Sequence, residues 1–373
     1  MTHDHLVWDF GRKVDLFATA LLPARDGLLL VLWTDRDHLW SLLVEPDGDP
    51  AGECRRLTAV RAGKMAATDL GGTCRPAGAR YLVAVAPELT VTDGPGDIGL
   101  LALDGQGRVV GRTELAGEAG PFSRGMSLTG GCDGVFASWH HGGLGEFESR
   151  TAFIDVRRME VRWRRTLSER GVNGFCPTLL EHGGRLHAFW GRLRVRMRKP
   201  GEEDAPGRIM HAVLGTGGAT PLDAHAVLET RRAQAAVSAI PHGEGMALLY
   251  RDKPVEELRE GIYLALLDAS GSLAQEPRRI ARGDGPDAAL LLPMGEDHLA
   301  TAAVRSLANE LLIGLNFLDE RGRKRSGELQ IYAHQIRFRK LAALPDREQL
   351  VLLYVEQGID GTRLLMTRVV RVE

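Results

Sequence analysis

The sequence is poorest in the residues that would mark a disulfide framework, a membrane or a nucleic-acid surface. Its four cysteines, Cys54, Cys74, Cys132 and Cys176, fall in no CxxC pair and stand beside no histidines at zinc-site spacing. That argues against a disulfide scaffold and a structural zinc, and leaves buried free thiols as the plain reading. No apolar run approaches the roughly 20 residues of a membrane span, and the stretch MTHDHLVWDFGRK lacks the charged-then-apolar order of a secretory signal. The expected setting is soluble, reducing and cytoplasmic, with no membrane partner. Lysine is scarce: six of the 47 basic residues are Lys and 41 are Arg, against 49 acids, for a formal charge of -2. Without a basic excess, a dedicated nucleic-acid surface is not expected. Aromatic residues make up 6% of the chain, which leaves few ring platforms for sugars.

What the chain has in plenty is repetition. The stretch PARDGLLLVLW returns in modified form down the sequence. Its last landmark residue recurs as Trp33, Ala86, Trp139, Trp190, Tyr250, Ala303 and Tyr354, at steps of 53, 53, 51, 60, 53 and 51 residues. A proline stands nine or ten places earlier in five of the seven copies, as Pro23, Pro76, Pro241, Pro293 and Pro345. Periods of this size signal a repeat architecture. Each unit reads as four short strands, a to d, as in LFATALLP, GLLLVLW, HLWSLLVEP and CRRLTAV of the first. Strand b is apolar throughout instead of alternating, which fits a strand covered on both faces. In the second unit strand a is weakly marked and is expected over Thr68 to Arg75. Turns of Asp followed closely by Gly recur as Asp47-Gly48, Asp104 to Gly107, Asp268 to Gly271 and Asp319 to Gly322, and read as hairpin turns, not as ligand sites. The seventh unit has three strands, and HLVWDF (5–10) has the composition of the missing fourth. Closure by both termini removes an exposed sheet edge.

This pattern resembles the β-propeller class: all-β, seven-bladed, with four-stranded blades and the N-terminal strand completing the last blade. The repeats run as one domain over 15–62, 63–117, 118–168, 169–230, 231–282, 283–333, and 334–373 with 5–10. The cadence of PTLLEHGGRLHAFW is loosely similar to that of sialidase-type and carbohydrate-active propellers, although the GH and WD pair, the kelch signature and the Asp-box are absent. The resemblance implies that strands a line a central channel, and that the b–c and d–a loops gather at one mouth, where ligands usually sit.

Candidate residues follow from that placement. Trp139-His140-His141-Gly142-Gly143 leaves a core strand into a Gly-rich loop followed by Glu146 and Glu148. His140 and His141 are read as ligand-contacting or catalytic, with a solvated loop pair as the plain alternative. Adjacent residues on an extended chain point to opposite sides, so a shared metal is not expected. In RLRVRMRKP (192–200), Arg192, Arg194, Arg196 and Arg198 alternate with apolar residues. Such a segment is either a hairpin arm lying on the body or a docking arm whose guanidinium forks take carboxylate or phosphate. Arg251 and Arg305 occupy comparable loop positions in later blades. Asp35 and Glu356, with Glu146 and Asp252, are the acids from which a glycoside-cleaving pair could be drawn.

The expected function is a non-catalytic interaction module, a scaffold component of a bacterial multi-protein system. It would grip another protein through the Arg-rich mouth. The alternative is a carbohydrate-active, sialidase-like or sugar-binding propeller, with a small anionic or sugar ligand at the channel mouth. No cofactor or metal is expected.

Overall fold

The computed structural model describes residues 4–35, 37–59, 63–71, 78–87, 89, 93, 95–120, 125–131, 134–143, 146–169, 172–193, 207–215, 223–230, 235–252, 261–282, 289–295, 298–307, 310–332, 341–346, 349–358 and 360–370. The chain opens with β1 (Asp4–Asp9). Blade 1 follows as β2 (Ala18–Pro23), β3 (Leu29–Thr34), β4 (His38–Val44) and β5 (Arg55–Ala59). Blade 2 holds β6 (Lys64–Asp69), β7 (Ala79–Ala86), β8 (Gly96–Asp104) and β9 (Val109–Ala119). Blade 3 holds β10 (Ser127–Gly131), β11 (Gly134–Gly143), β12 (Glu146–Asp155) and β13 (Glu160–Thr166). In blade 4 come β14 (Asn173–His182), β15 (Arg185–Leu193), β16 (Gly207–Leu214) and β17 (His225–Thr230). Blade 5 comprises β18 (Ala235–His242), β19 (Gly245–Asp252), β20 (Gly261–Leu267) and β21 (Arg278–Arg282). Blade 6 comprises β22 (Ala289–Met294), β23 (His298–Leu307), β24 (Glu310–Leu318) and β25 (Leu329–Tyr332). The last three strands are β26 (Leu341–Asp346), β27 (Gln349–Gln357) and β28 (Thr362–Val370), and β1 pairs with β28 to complete their sheet. Seven antiparallel sheets of four strands result. The chain is a seven-bladed β-propeller. Among the described residues no helix is long and apolar enough to cross a membrane.

Strand b explains why the sheets must stand in a ring. Its side chains alternate between two faces, and both faces are buried. In β3, Leu30 and Leu32 enter a core shared with Tyr81, Val83 and Val85 of blade 2. Leu29, Val31 and Trp33 enter another, shared with Val351, Leu353 and Val355 of blade 7. The apolar interior is thus divided into seven clusters, one in each gap between blades. The landmark residues from Trp33 to Tyr354 are each at most 3% exposed. Strand a is the inner edge of each sheet, so a proline near its end removes no ladder bond when its missing N–H faces the channel. Strand a of blade 2 is β6, earlier than the Thr68 to Arg75 expected from sequence. Its register is set by antiparallel pairing of Lys64 with Ala86 and Asp69 with Tyr81, not by the glycines that follow.

The Asp to Gly turns are hairpin turns, and they also join blades. Asp104, Asp268 and Asp319 each accept two backbone N–H groups of the turn through Oδ1. The glycine that ends the turn sits at positive φ and packs against the preceding blade. A methyl group on Gly107 would lie 2.9 Å from Leu30, one on Gly322 2.7 Å from Leu264, and one on Gly271 would overlap the His211 ring. Blade 3 inverts the arrangement: Met159, at φ 53, sits over Gly111 of blade 2.

The seam between the termini is held by more than the β1–β28 ladder. Thr362 Oγ1 accepts from Val14 N at 2.9 Å and donates to Val14 O at 2.9 Å, while Phe10 N donates to Thr362 O and Thr362 N to Arg12 O. Thr362→Val keeps the shape and leaves both Val14 groups without the hydroxyl. It should lower stability by about 1–3 kcal/mol in urea denaturation. Gly271→Ala should be destabilised by about 1–3 kcal/mol more than Gly295→Ala. Both positions have positive φ, but the second meets nothing within 4 Å.

Candidate functional site

The strongest side-chain network at the mouth carrying the b–c loops is built on blade 3. β11 and β12 stay paired as far as Gly143 opposite Glu146, so His140 and His141 lie in strand and not in the Gly-rich loop read from sequence. Gly142 and Gly143 permit the hairpin to run on, and aromatic packing holds it. His140 stands edge-on to Phe147 and Phe175, with ring centroids 4.6 and 5.5 Å away. The pleat turns His140 into the gap between blades, where it is 3% exposed. It turns His141 to the other side, where Nδ1–H donates to the Glu118 carbonyl at 3.0 Å. Since that carbonyl can only accept, the contact places the imidazole proton on Nδ1.

Glu118 is the centre of the network and was not among the sequence candidates. Near the end of β9 the ladder pairs Ile98 with Leu115 and then Gly96 with Ala119, so residues 116–118 bulge out. Gly117 takes φ 70 there, and its N–H is held by Asp97 Oδ1 at 2.7 Å. The bulge carries Glu118 across to blade 3. Its Oε2 accepts from Arg150 Nη1 at 2.7 Å and from Trp139 Nε1 at 3.3 Å, while Arg164 Nη1 lies 3.5 Å from Oε1. Arg150 also donates through Nε and Nη2 to Glu148 Oε2 at 2.9 and 2.7 Å. Burial alone would lower the Arg150 pKa, but the hydrogen bonds it donates to Glu118 and then Glu148 outweigh it and hold the value above normal. A Gly inside an otherwise regular strand d, with Glu beside it, was the available sequence signal for a bulge.

The insertion of blade 4 leaves from Arg192 and returns at Arg208, which face each other across the β15–β16 ladder. Like charges in such a pair destabilise it. Here each has its own acid: Arg192 Nη2 lies 2.7 Å from Glu169 Oε2, and Arg208 Nη2 2.6 Å from Glu229 Oε1. Arg194, Arg196 and Arg198 fall outside the described residues, as does the side chain of Arg305 on β23.

The remaining candidates each sit in their own hairpin. Asp35 Oδ1 accepts the N–H groups of Asp37 and His38 at 2.9 and 2.8 Å, and Oδ2 takes Trp40 Nε1 at 2.7 Å. Glu356, near the end of β27, lies 3.9 Å from Arg363 Nη1. Arg251 and Asp252 end β19 half-buried. Among the described residues no group of three or more His, Cys, Asp or Glu side chains is arranged to hold a metal ion. Burial pushes the Cys54 thiol up to about 11, away from nucleophilic character.

No family model matches the chain, and no curated protein matches it. Solved structures do. The polysaccharide lyase Uly1 superposes with a TM-score of 0.55 at 8% identity, over 95% of this chain and 90% of that one. The Dos1 propeller gives 0.50 at 11% identity, over 95% and 78%. A subtype N11 neuraminidase-like protein of A/flat-faced bat/Peru/033/2010 (H18N11) gives 0.45 at 10%, over 96% and 88%. At such identities the likeness is one of fold.

The network ties the Glu118 bulge of blade 2 to β11, β12 and β13 of blade 3. Glu118→Gln, which leaves Arg150 with one acid, should lower stability by about 1–3 kcal/mol in urea denaturation. Glu148→Gln, at a more exposed acid, should cost less than about 1 kcal/mol.

Proposed function

We propose that the protein is a cytoplasmic, non-catalytic interaction module that grips another protein at the mouth carrying the b–c loops. The observation that supports this most is the state of the carboxylates there. Asp35 holds a turn and an indole, Glu118 and Glu148 are clasped by Arg150, Glu169 pairs with Arg192, and Glu356 lies beside Arg363. Glycoside cleavage asks for two carboxyl groups about 5–10 Å apart, poised across a pocket to exchange protons with substrate. Acids engaged in this way are poised to hold loops in place, which suits a rigid surface offered to a partner.

The gripping element in this reading is the blade 4 insertion, whose sequence alternates Arg with Leu, Val and Met. One side of such a segment offers guanidinium forks and the other an apolar strip, which together suit an acidic protein surface with an apolar border. Its base is charge-balanced by Glu169 and Glu229, so the test falls on Arg194, Arg196 and Arg198 beyond that base. Replacing those three by Ser should abolish recovery of the partner in a pull-down from the native host while leaving the thermal melting midpoint unchanged. Unaltered recovery would reject the arm as the contact. Turnover of chromogenic glycosides by the intact protein would reject the non-catalytic reading in favour of the carbohydrate-active one.

A further inference from the structure

Blade 4 carries a histidine on each of its four strands, and the four lie in one row. His182 ends β14, His187 is on β15, His211 on β16 and His225 begins β17. Ring centroids are 6.4 Å apart from His182 to His187, 5.2 Å from His187 to His211 and 5.0 Å from His211 to His225. Between His187 and His211 the Nδ1 to Nε2 distance is 2.9 Å, and between His211 and His225 it is 3.4 Å. The row is buried in the middle and not at its ends: His187 and His211 are at most 1% accessible, while His182 is half-buried and His225 is open to solvent. It lies on the side of the ring that bears the a–b and c–d turns, opposite the mouth considered above.

The row also forms a seat for the next blade. The turn of blade 5 from Asp268 to Gly271 packs onto His211 so closely that Gly271 has no room for a side chain. His182 Nε2 bonds to Glu244 O of blade 5 at 2.9 Å. Elsewhere the seats under these turns are Leu30 under Gly107, Leu264 under Gly322, and His5 with Met366 under Gly48. Only the blade 4 seat among these four is a fully buried titratable ring, His5 being partly exposed.

We propose that the row is a proton-operated release for the junction between blades 4 and 5, in which protons entering from His225 unseat the Asp268 to Gly271 turn and open β16 and β17 locally. Neutral imidazoles can pass one donor and one acceptor from His187 through His211 to His225, which satisfies both of those links. Charged neighbours at these spacings in a buried place repel and lack solvation. The charged and titratable groups facing the two buried rings are His182, Arg185, His225 and Asp268. Burial, followed by His187 and His225, holds His211 down to about 3, with Asp268 pulling the other way. Burial, followed by His182 and Arg185, lowers His187 as well.

The sign follows from linkage. Above about pH 6.5, the ordinary histidine value, neither the closed nor the open junction binds the extra proton, and its stability does not depend on pH through this row. Below it the open form binds a proton that the closed form refuses. Each pH unit down therefore multiplies the opening constant about tenfold for each such ring. Asp104, Asp155 and Asp268 are held below their usual 3.8, so the interval from pH 6.5 to 4.5 is free of them.

Hydrogen exchange on the full chain tests this. After correction for intrinsic rates, amides of β16, β17 and residues 268–274 should open at least about tenfold more per pH unit between 6.5 and 4.5 than those of β3. His211→Gln keeps one donor and one acceptor without titrating, and His211→Phe keeps the stack on Phe189. Either variant that folds should lose about tenfold per pH unit of that dependence. An equal rise in β3, a flat profile in the native chain, or a slope unchanged in the folded variant would overturn the proposal.

Discussion

Every sheet in this molecule has two apolar faces and can bury neither by itself. In β7, for example, Tyr81, Val83 and Val85 need blade 1, while Leu82, Ala84 and Ala86 need blade 3. An open array of such sheets would end in two uncovered faces, so the packing of strand b demands a closed ring. The ring in turn demands a seam in which the two ends of the chain share a sheet. Val7, 2% exposed, enters the same core as Trp33 and Met366, which makes the first strand as much a part of the interior as any later one. The hydroxyl of Thr362, bonded both ways to Val14, then fixes the register of that closure.

A ring of wedge-shaped gaps also needs its outer corners matched, and the c–d turns do that work with different chemistry from blade to blade. A glycine at positive φ brings backbone against the neighbouring blade at Gly48, Gly107, Gly271 and Gly322. At blade 3 the side chain moves to the other partner, Met159 filling the space that Gly111 leaves. Leucine seats are indifferent to pH. A histidine seat is not, because burial penalises its charged form, and the blade 4 junction is bound to weaken in acid sooner than those built on leucine.

The repeat was legible because strand b is apolar at consecutive positions, a pattern that half-exposed strands do not give, in runs too short and too closely bounded by Gly, Pro and Asp for helices. The Asp to Gly turns were legible because carboxylate and positive φ are local requirements. What escaped was decided by pairing between distant residues. Trp139 to Gly143 reads as the exit to a loop, yet the facing strand from Glu146 and the rings of Phe147 and Phe175 keep it in the sheet. Glu118 falls just past strand d as read from sequence, RVVGRTELA (108–116), and it is the longer observed strand, with its mismatch opposite Gly96 and Ile98, that turns it toward Arg150. His182, His187, His211 and His225 are scattered along the chain and become a row only through strand register.

Function was less legible for a physical reason of its own. The residues that repeat are those that close the ring, and closure is indifferent to what the loops hold. The one loop that breaks the period is the blade 4 insertion, and its composition sets a limit on how it can act. From residue 194 to 206 it carries four basic and three acidic side chains, a net of one positive charge. Long-range attraction from so small an excess is screened within roughly 10 Å at ordinary salt. Selectivity in the proposed arm would therefore have to come from its sequence pattern, Arg alternating with apolar residues and followed within a few positions by acids. A partner of the proposed arm would have to match that spacing and compete with Glu202, Glu203 and Asp204 for the guanidinium groups. That favours a structured acidic surface over a merely negative one.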